Sequence, residues 1–149
     1  MKYLISIISI FFLLSSCKGP NLVGTWQIET LQISLNSFKN SDENKLISAD
    51  RENWEQKMKS RNILTTYTKE GLYHSLHRNL KDSIVYDPHG VYKVIGDSLF
   101  IQDTFPEKRN YSFKMILRKD TVEFFGTEDF DSDGKVDDEY YSKQSRLKK

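Results

Sequence analysis

Short segments in which apolar and polar residues alternate are the feature that most constrains the fold of this chain. In the clearest case, Tyr111, Phe113, Met115 and Leu117 alternate with polar residues, the period of two of a half-buried strand. Turn residues bound each such segment. We predict eight strands, at residues 24–35, 62–68, 72–78, 91–95, 98–103, 111–117, 121–126 and 138–144.

Most of the connections between these segments are short. Residues 79–90 are a longer connection that ends in the turn sequence Asp87-Pro88-His89-Gly90. Short connections place consecutive strands side by side and antiparallel. Closure of such a sheet removes its exposed edges. We therefore predict an all-β fold, an eight-stranded up-and-down antiparallel barrel, with an open meander packed on a helix as the alternative.

The first connection is predicted to contain the only helix of the domain. Residues 38–47 are polar and predict a loop, and Ser48 can cap a helix from Ala49 to Arg61. Its apolar residues are few, with Trp54 and Met58 forming one pair four residues apart. So narrow an apolar stripe favours a short surface or lid helix.

The N-terminal residues are typical of an export signal. Lys2 precedes an unbroken apolar run from Tyr3 to Leu14, and small residues follow. The run is shorter than the roughly 20 residues needed to cross a bilayer. We predict a signal peptide, with a helical apolar core, at residues 1–16.

The sequence Leu14-Ser15-Ser16-Cys17 resembles the lipobox of bacterial lipoproteins. That resemblance implies cleavage before Cys17, lipidation of Cys17 with fatty-acyl chains, and a membrane anchor. Residues 17–21 would then be a lipidated linker and residues 22–149 the domain. Lys18 directly after Cys17 resembles lipoproteins sent to the outer membrane of the cell envelope. A plain cleaved signal with an incidental cysteine is the alternative.

Composition excludes several classes of function. The chain has 22 basic and 21 acidic residues, a net charge of +1, which does not suit a nucleic-acid binder. Cys17 is the only cysteine, so a disulfide or thiol nucleophile within the domain is excluded. His74 and His77, three apart on a strand, point to opposite faces and cannot share a metal ion. No catalytic motif stands out, and we predict that the protein is not an enzyme.

Gly24-Thr25-Trp26 opens the first predicted strand, and the chain there resembles the lipocalin-like family of small exported bacterial proteins. The G-x-W motif, the helix in the first connection and the later hairpins carry this resemblance over residues 21–144. It implies that Trp26 closes one end of the barrel beneath Arg146 or Lys143. It also implies a cup whose open end holds a small apolar ligand.

An eight-stranded barrel has room for its own side chains or for one small ligand. If bulky aromatic residues fill the lumen, the protein would instead be a structural or interaction lipoprotein that contacts an envelope protein partner. The candidates to fill it are Tyr67, Tyr73, Tyr92, Phe100, Tyr111, Phe113 and Phe124.

The segment from Asp129 to Asp138 is densely acidic and contains the pattern D-x-D-x-D-G. Its start resembles an EF-hand loop, which curls carboxylate oxygens around Ca²⁺. No cofactor is otherwise required, and the predicted calcium ligands are Asp129, Asp131, Asp133 and Asp137. The alternative is a solvated hairpin turn without a metal ion.

Overall fold

The computed structural model describes residues 21–148. The predicted signal peptide and its helix, the lipidation of Cys17 and the linker as far as residue 20 lie outside the described residues. Within them, no helix has both the length and the apolar character needed to cross a membrane. The elements are β1 (Gly24–Leu35), a 3-10 turn (Phe38–Asn40), β2 (Lys45–Asp50), α1 (Trp54–Met58), β3 (Leu64–Tyr67), β4 (Leu72–Arg78), β5 (Ile84–Tyr86), β6 (His89–Ile95), β7 (Ser98–Phe105), β8 (Asn110–Leu117), β9 (Thr121–Glu128) and β10 (Asp138–Arg146).

Eight of these strands form a closed antiparallel barrel, as predicted from the sequence. The order runs β1, β3, β4, β6, β7, β8, β9, β10, and β10 pairs again with β1. Closure extends along most of β1, from Trp26 opposite Arg146 to Ser34 opposite Glu139. The end of the barrel at Trp26 and Arg146 is called the closed end below. The opposite end, where β1 finishes and β10 begins, is called the open end.

The prediction for the first connection is wrong in part. Residues 38–47 were predicted as loop and Ala49 as the helix start, yet β2 runs from Lys45 to Asp50 and pairs with the second half of β1. The reason is that β3 pairs only with β1 residues Gly24 to Gln27, which leaves the rest of β1 in need of a partner. The helix is limited to α1. Just before it, the carboxylate of Asp50, and not the predicted cap Ser48, accepts hydrogen bonds from the Glu52 and Asn53 amides at 3.0 Å.

α1 is short, but it is not a purely surface helix. Trp54 is only 1% exposed and packs on Ile28, Leu31 and Ala49. Its indole N–H donates to the Arg61 carbonyl at 3.1 Å. α1 therefore packs on β1 and β2 through Trp54 and forms a second small hydrophobic core with them.

The connection at residues 79–90 contains structure that the sequence did not predict. β5 pairs with the end of β4, with His77 opposite Tyr86, and β6 begins at His89 rather than after Gly90. Asp87 and Pro88 form the corner between β5 and β6. Gly90 is required at this point because a Cβ there would lie 2.0 Å from the Gln102 carbonyl oxygen of β7. β6 and β7 can approach each other closely only at a glycine.

Candidate functional site

The closed end of the barrel is solid. Trp26 is fully buried, and its indole N–H donates to the Leu22 carbonyl at 2.7 Å. The Arg146 guanidinium lies over the Trp26 ring, 4.2 Å from the ring centroid, and donates to the Asn21 carbonyl at 2.6 Å and to the Val23 carbonyl. Lys143, the other residue considered as a partner, lies farther along β10 opposite Thr30.

Gly24 makes this arrangement sterically accessible. Its φ is +135°, a conformation that residues with a Cβ rarely adopt, and a Cβ would lie 2.7 Å from Nη1 of Arg146. The two conspicuous residues of the G-x-W motif thus serve one structural purpose. Trp26 plugs the barrel, and Gly24 leaves space for the cation above it.

The open half of the barrel contains a cavity of about 370 Å³. This volume lies within the range of small-molecule sites, roughly 300–1,000 Å³. Its walls are mostly apolar and come from most of the barrel strands and from α1. Among the lining side chains are Ile28, Leu31, Ile63, Met58, Leu99, Ile101, Phe113, Phe124 and Phe130.

The aromatic residues fill the lumen only in part. Tyr67, Tyr73 and Phe124 are buried, and the Tyr67 ring meets Tyr92 edge-on at 4.9 Å. Phe100 is 43% exposed on the outer face, so its assignment to the lumen is wrong. It follows Leu99, which points inward, and successive residues of a strand alternate between faces.

A buried carboxylate lies on the cavity wall. Asp103 on β7 is only 2% exposed, and its Oδ1 accepts a hydrogen bond from the Tyr73 hydroxyl of β4. Arg109, whose positive charge acts on Asp103, forms its ion pair with Glu107 at 3.2 Å. Burial raises the pKa of Asp103 to about 6, although Arg109 acts in the opposite direction. This group was missed in the sequence, yet Leu99, Ile101 and Asp103 follow the same alternation that places side chains inward.

A polar strip runs along β3 and β4 on the same wall. The Thr65 and Ser75 hydroxyls lie 3.0 Å apart, and Ser75 Oγ lies 3.4 Å from Nε2 of His77. Burial lowers the pKa of His77 to about 4, so its imidazole is neutral at pH 7. Another lining residue, Gln144, is 5% exposed, and within the described part of the chain its Oε1 has no hydrogen-bond partner.

Two larger depressions, of about 580 and 670 Å³, lie on the outside of the barrel. Charged side chains line both, including Lys114 and Glu139 in the first and Lys69 and Asp97 in the second. The internal cavity is the better candidate site because buried apolar side chains surround it.

The acidic hairpin joins β9 and β10 and packs against the β1–β2 connection. Asp131 Oδ2 accepts from the Lys39 amide at 2.6 Å, and Asp133 Oδ2 accepts from the Asn40 amide at 3.0 Å. Lys39 and Asn40 have positive φ angles of 51° and 62°. The carboxylates therefore hold a loop whose backbone amides turn toward them, which the sequence pattern did not reveal.

Asp138 is the centre of this contact. It is fully buried, and its carboxylate accepts from the amides of Asn36 (2.9 Å), Phe130 (2.7 Å) and Asp131 (3.2 Å). Carboxylate oxygens of Asp129, Asp131 and Asp138 lie within 4.8 Å of one another. Asp138 Oδ2 already accepts two of these bonds, so a hard cation would bind through the remaining lone pairs of the three carboxylates.

The ligand set predicted from the sequence differs from this trio. Asp133 and Asp137 are not part of it. Asp133 accepts bonds from the Asn40 and Lys135 amides, and Asp137 Oδ2 accepts from the Ser37 hydroxyl at 3.3 Å. Calcium binding stays a prediction, with Asp138 added to its candidate ligands.

Comparison with models of known protein families and with curated protein sequences finds no match to this chain. The fold and its cavity nevertheless define a class of architecture. The chain forms a small closed antiparallel β-barrel with a plugged end, an open end and a largely apolar interior, an arrangement typical of binding proteins.

Proposed function

We propose that the protein is a membrane-tethered, lipocalin-like binding module that holds one small apolar molecule in its barrel and performs no catalysis. The observation that carries this proposal is the cavity of about 370 Å³ lined by aliphatic and aromatic side chains. Burial of an apolar molecule in such a space is favourable by about 25 cal/mol per Å² of apolar surface removed from water.

The polar groups of the cavity narrow the chemistry of the ligand. Asp103 and Gln144 both present oxygen atoms that accept hydrogen bonds. Gln144 Oε1 has no partner among the described residues, and Asp103 accepts from Tyr73, so a ligand that brings its own donor would satisfy the first or add a bond to the second. The proposed ligand therefore has an apolar body and one donating group, such as an amine or a hydroxyl.

The tether is proposed from the sequence around Cys17. Three residues lie between Cys17 and Asn21, whose carbonyl accepts a hydrogen bond from Arg146 at the closed end. The four steps from Cys17 to Asn21 span at most roughly 13–14 Å, which keeps the closed end near the lipid anchor. The open end then faces away from the membrane, into the aqueous space of the cell envelope.

A fluorescent probe tests the binding function. N-phenyl-1-naphthylamine is apolar and carries one N–H donor, and its emission rises when it leaves water. We expect saturable binding of one probe per barrel to residues 21–149. Ile101→Trp fills the cavity from β7 and should abolish binding.

Ile116→Trp is the matched control, because Ile116 is 46% exposed on the outer face of β8. This variant should bind the probe as the parent protein does. Equal binding by both variants would show that the probe does not occupy the cavity, and the proposed function would be rejected.

The second candidate is an interaction lipoprotein that contacts an envelope protein through its outer surface. Ile84, Val85 and Tyr86 of β5 favour it, because all three are at least 41% exposed. Tyr86 also lines the cavity, so this strand belongs to the cavity mouth as well. Replacing Ile84 and Val85 with Ser would reduce partner binding while leaving probe binding unchanged if this candidate were correct.

A further inference from the structure

Outside the cavity, two histidines and an aspartate meet on the exterior of the barrel. His74 on β4 lies directly opposite His89 on β6 in the strand register. Their rings are 5.7 Å apart, centroid to centroid. Asp87, at the corner between β5 and β6, places its Oδ2 4.0 Å from Nε2 of His74. One ligand atom from each of the three residues lies within 4.8 Å of the others.

The strand geometry explains why these residues share a face. Asp87 and His89 are two residues apart and therefore project to the same side of the bent segment that β5 and β6 form along β4. His74 projects outward as well, whereas His77, three residues further along β4, lines the cavity. The partners of His74 are therefore not His77 but His89 on the neighbouring strand β6 and Asp87 at the corner that precedes it.

The His89 ring is held in a defined orientation. Its Nδ1 lies 3.0 Å from the Asp87 carbonyl oxygen, and its face stacks on Phe105 at 4.9 Å between centroids. A bond from Nδ1–H to a carbonyl fixes the tautomer that leaves Nε2 free to bind a metal ion. This arrangement of a backbone acceptor behind a ligating imidazole is common around metal sites in proteins.

From this geometry we infer that His74, Asp87 and His89 form a binding site for a divalent transition-metal ion, with Zn²⁺ as its representative. Two imidazoles and one carboxylate are a donor set that Zn²⁺ takes in three-ligand sites, where water occupies the fourth position. Ligand atoms around tetrahedral zinc are about 3–3.5 Å apart, so the side chains must close in by about 1.5 Å. The side chains of His74 and Asp87 are 45% and 38% exposed, which leaves them free to rotate.

The site is independent of the acidic hairpin. The hairpin offers only carboxylate oxygens, which suit Ca²⁺, whereas imidazole nitrogen suits zinc and its neighbours in the first transition row. A bound ion would join β4 to β6 beside the corner at Pro88, which lines the cavity. It would thus brace one side of the cavity mouth.

Isothermal titration of the full chain with ZnCl₂ tests this inference. The protein is purified in neutral detergent without a histidine tag and stripped of metal with a chelator. We expect one zinc ion per chain. His74→Ala and His89→Ala should each weaken binding by at least about tenfold, since loss of an outer-shell partner alone costs 10- to 100-fold. Asp87→Asn should weaken it as well, and it leaves the size of the side chain unchanged.

His77→Gln is the control, because His77 is the one histidine of the three that is not a proposed ligand, and its side chain faces the interior. Its zinc affinity should equal that of the parent protein. Substitution with Co²⁺ gives a second readout, since a tetrahedral site with nitrogen and oxygen donors produces visible absorption that His74→Ala should remove. The inference is overturned if zinc binds more weakly than about 1 mM, or if His74→Ala and His77→Gln bind it equally well.

Discussion

The two ends of this barrel differ in how completely they are packed. At the closed end, Trp26 is sealed beneath Arg146, and the guanidinium is bonded to backbone carbonyls. In the open half, Asp103 and Gln144 lie buried beside empty apolar space. Such incomplete packing costs stability, and proteins concentrate that cost at functional sites. We infer that the closed end maintains the fold, and we propose the open half as the binding site.

The largest effect should come from breaking the closed end. Trp26→Ala removes a fully buried indole and should lower the free energy of unfolding by about 3–5 kcal/mol. Urea denaturation followed by tryptophan fluorescence from Trp54 measures this. Phe100→Ala, at a position 43% exposed, should cost less than about 1 kcal/mol. Similar losses in the two variants would contradict the role given to the closed end.

The stability of the loops at the open end should depend on the Asp138 carboxylate. Asp138→Asn replaces an acceptor of three backbone N–H bonds with a group that also carries donors, and should cost about 2–4 kcal/mol. Glu139→Gln, at the exposed neighbouring position, should change stability by less than about 0.5 kcal/mol. If Asp138→Asn is as stable as Glu139→Gln in urea, the hairpin does not hold the rim.

Neutralising the Asp103 carboxylate in the cavity should instead stabilise the folded protein. The pKa of Asp103 is raised from 3.8 to about 6, so the folded state holds this proton more tightly than the unfolded state. The stability that protonated Asp103 contributes is therefore fully present below pH 3.8 and is lost as the pH rises through 6. The total loss of stability is at most about 3 kcal/mol. Tyr73, Tyr111 and Arg109 are the other ionisable groups that act on it.

Asp103→Asn should accordingly stabilise the ligand-free protein at pH 7 by about 1–3 kcal/mol and flatten the pH dependence between 4 and 7. Thermal unfolding at a series of pH values measures both effects. The same variant should bind an amine ligand less tightly, which separates stability from function. A loss of stability at pH 7 would show that Asp103 is a structural group like Asp138.

Calcium should have the smallest of these effects on the stability of the fold. If Asp129, Asp131 and Asp138 bind Ca²⁺ with a dissociation constant on the order of 1 mM, 10 mM calcium should add about 1.4 kcal/mol to the stability of the fold. Mg²⁺ at the same concentration is the ionic control. An equal shift in Asp129→Asn would show that the hairpin is not the site.

How far the sequence predicts this structure depends on burial. Period two identified strands such as β8 because their inward residues are apolar, whereas β10 was predicted as the return strand of the acidic hairpin and its buried residues are polar. β5 was missed because Ile84, Val85 and Tyr86 are all exposed and show no alternation. β2 was missed because Ala49 is its only buried residue. Short strands that add to a barrel rim leave almost no periodic signal.

A local motif in the sequence marks the closed end of the barrel but not the cavity. Gly24 and Trp26 form this motif, and Trp26 plugs the barrel. Tyr73 and Asp103 are 30 residues apart and meet across the lumen, between strands that are not neighbours. Neither spacing nor composition encodes a contact of that kind. The contact of Asp87 with His74 and His89 is equally hidden in the sequence, because it depends on the bend between β5 and β6.

A crystal structure of residues 21–149 with N-phenyl-1-naphthylamine would show whether the barrel binds an apolar molecule in its interior. We expect the ring system to lie within the barrel among Ile28, Ile101 and Phe113, with its N–H donating to Asp103. A lumen closed by Tyr73, Tyr111 and Phe113, with the probe absent or bound on the outer face, would contradict it.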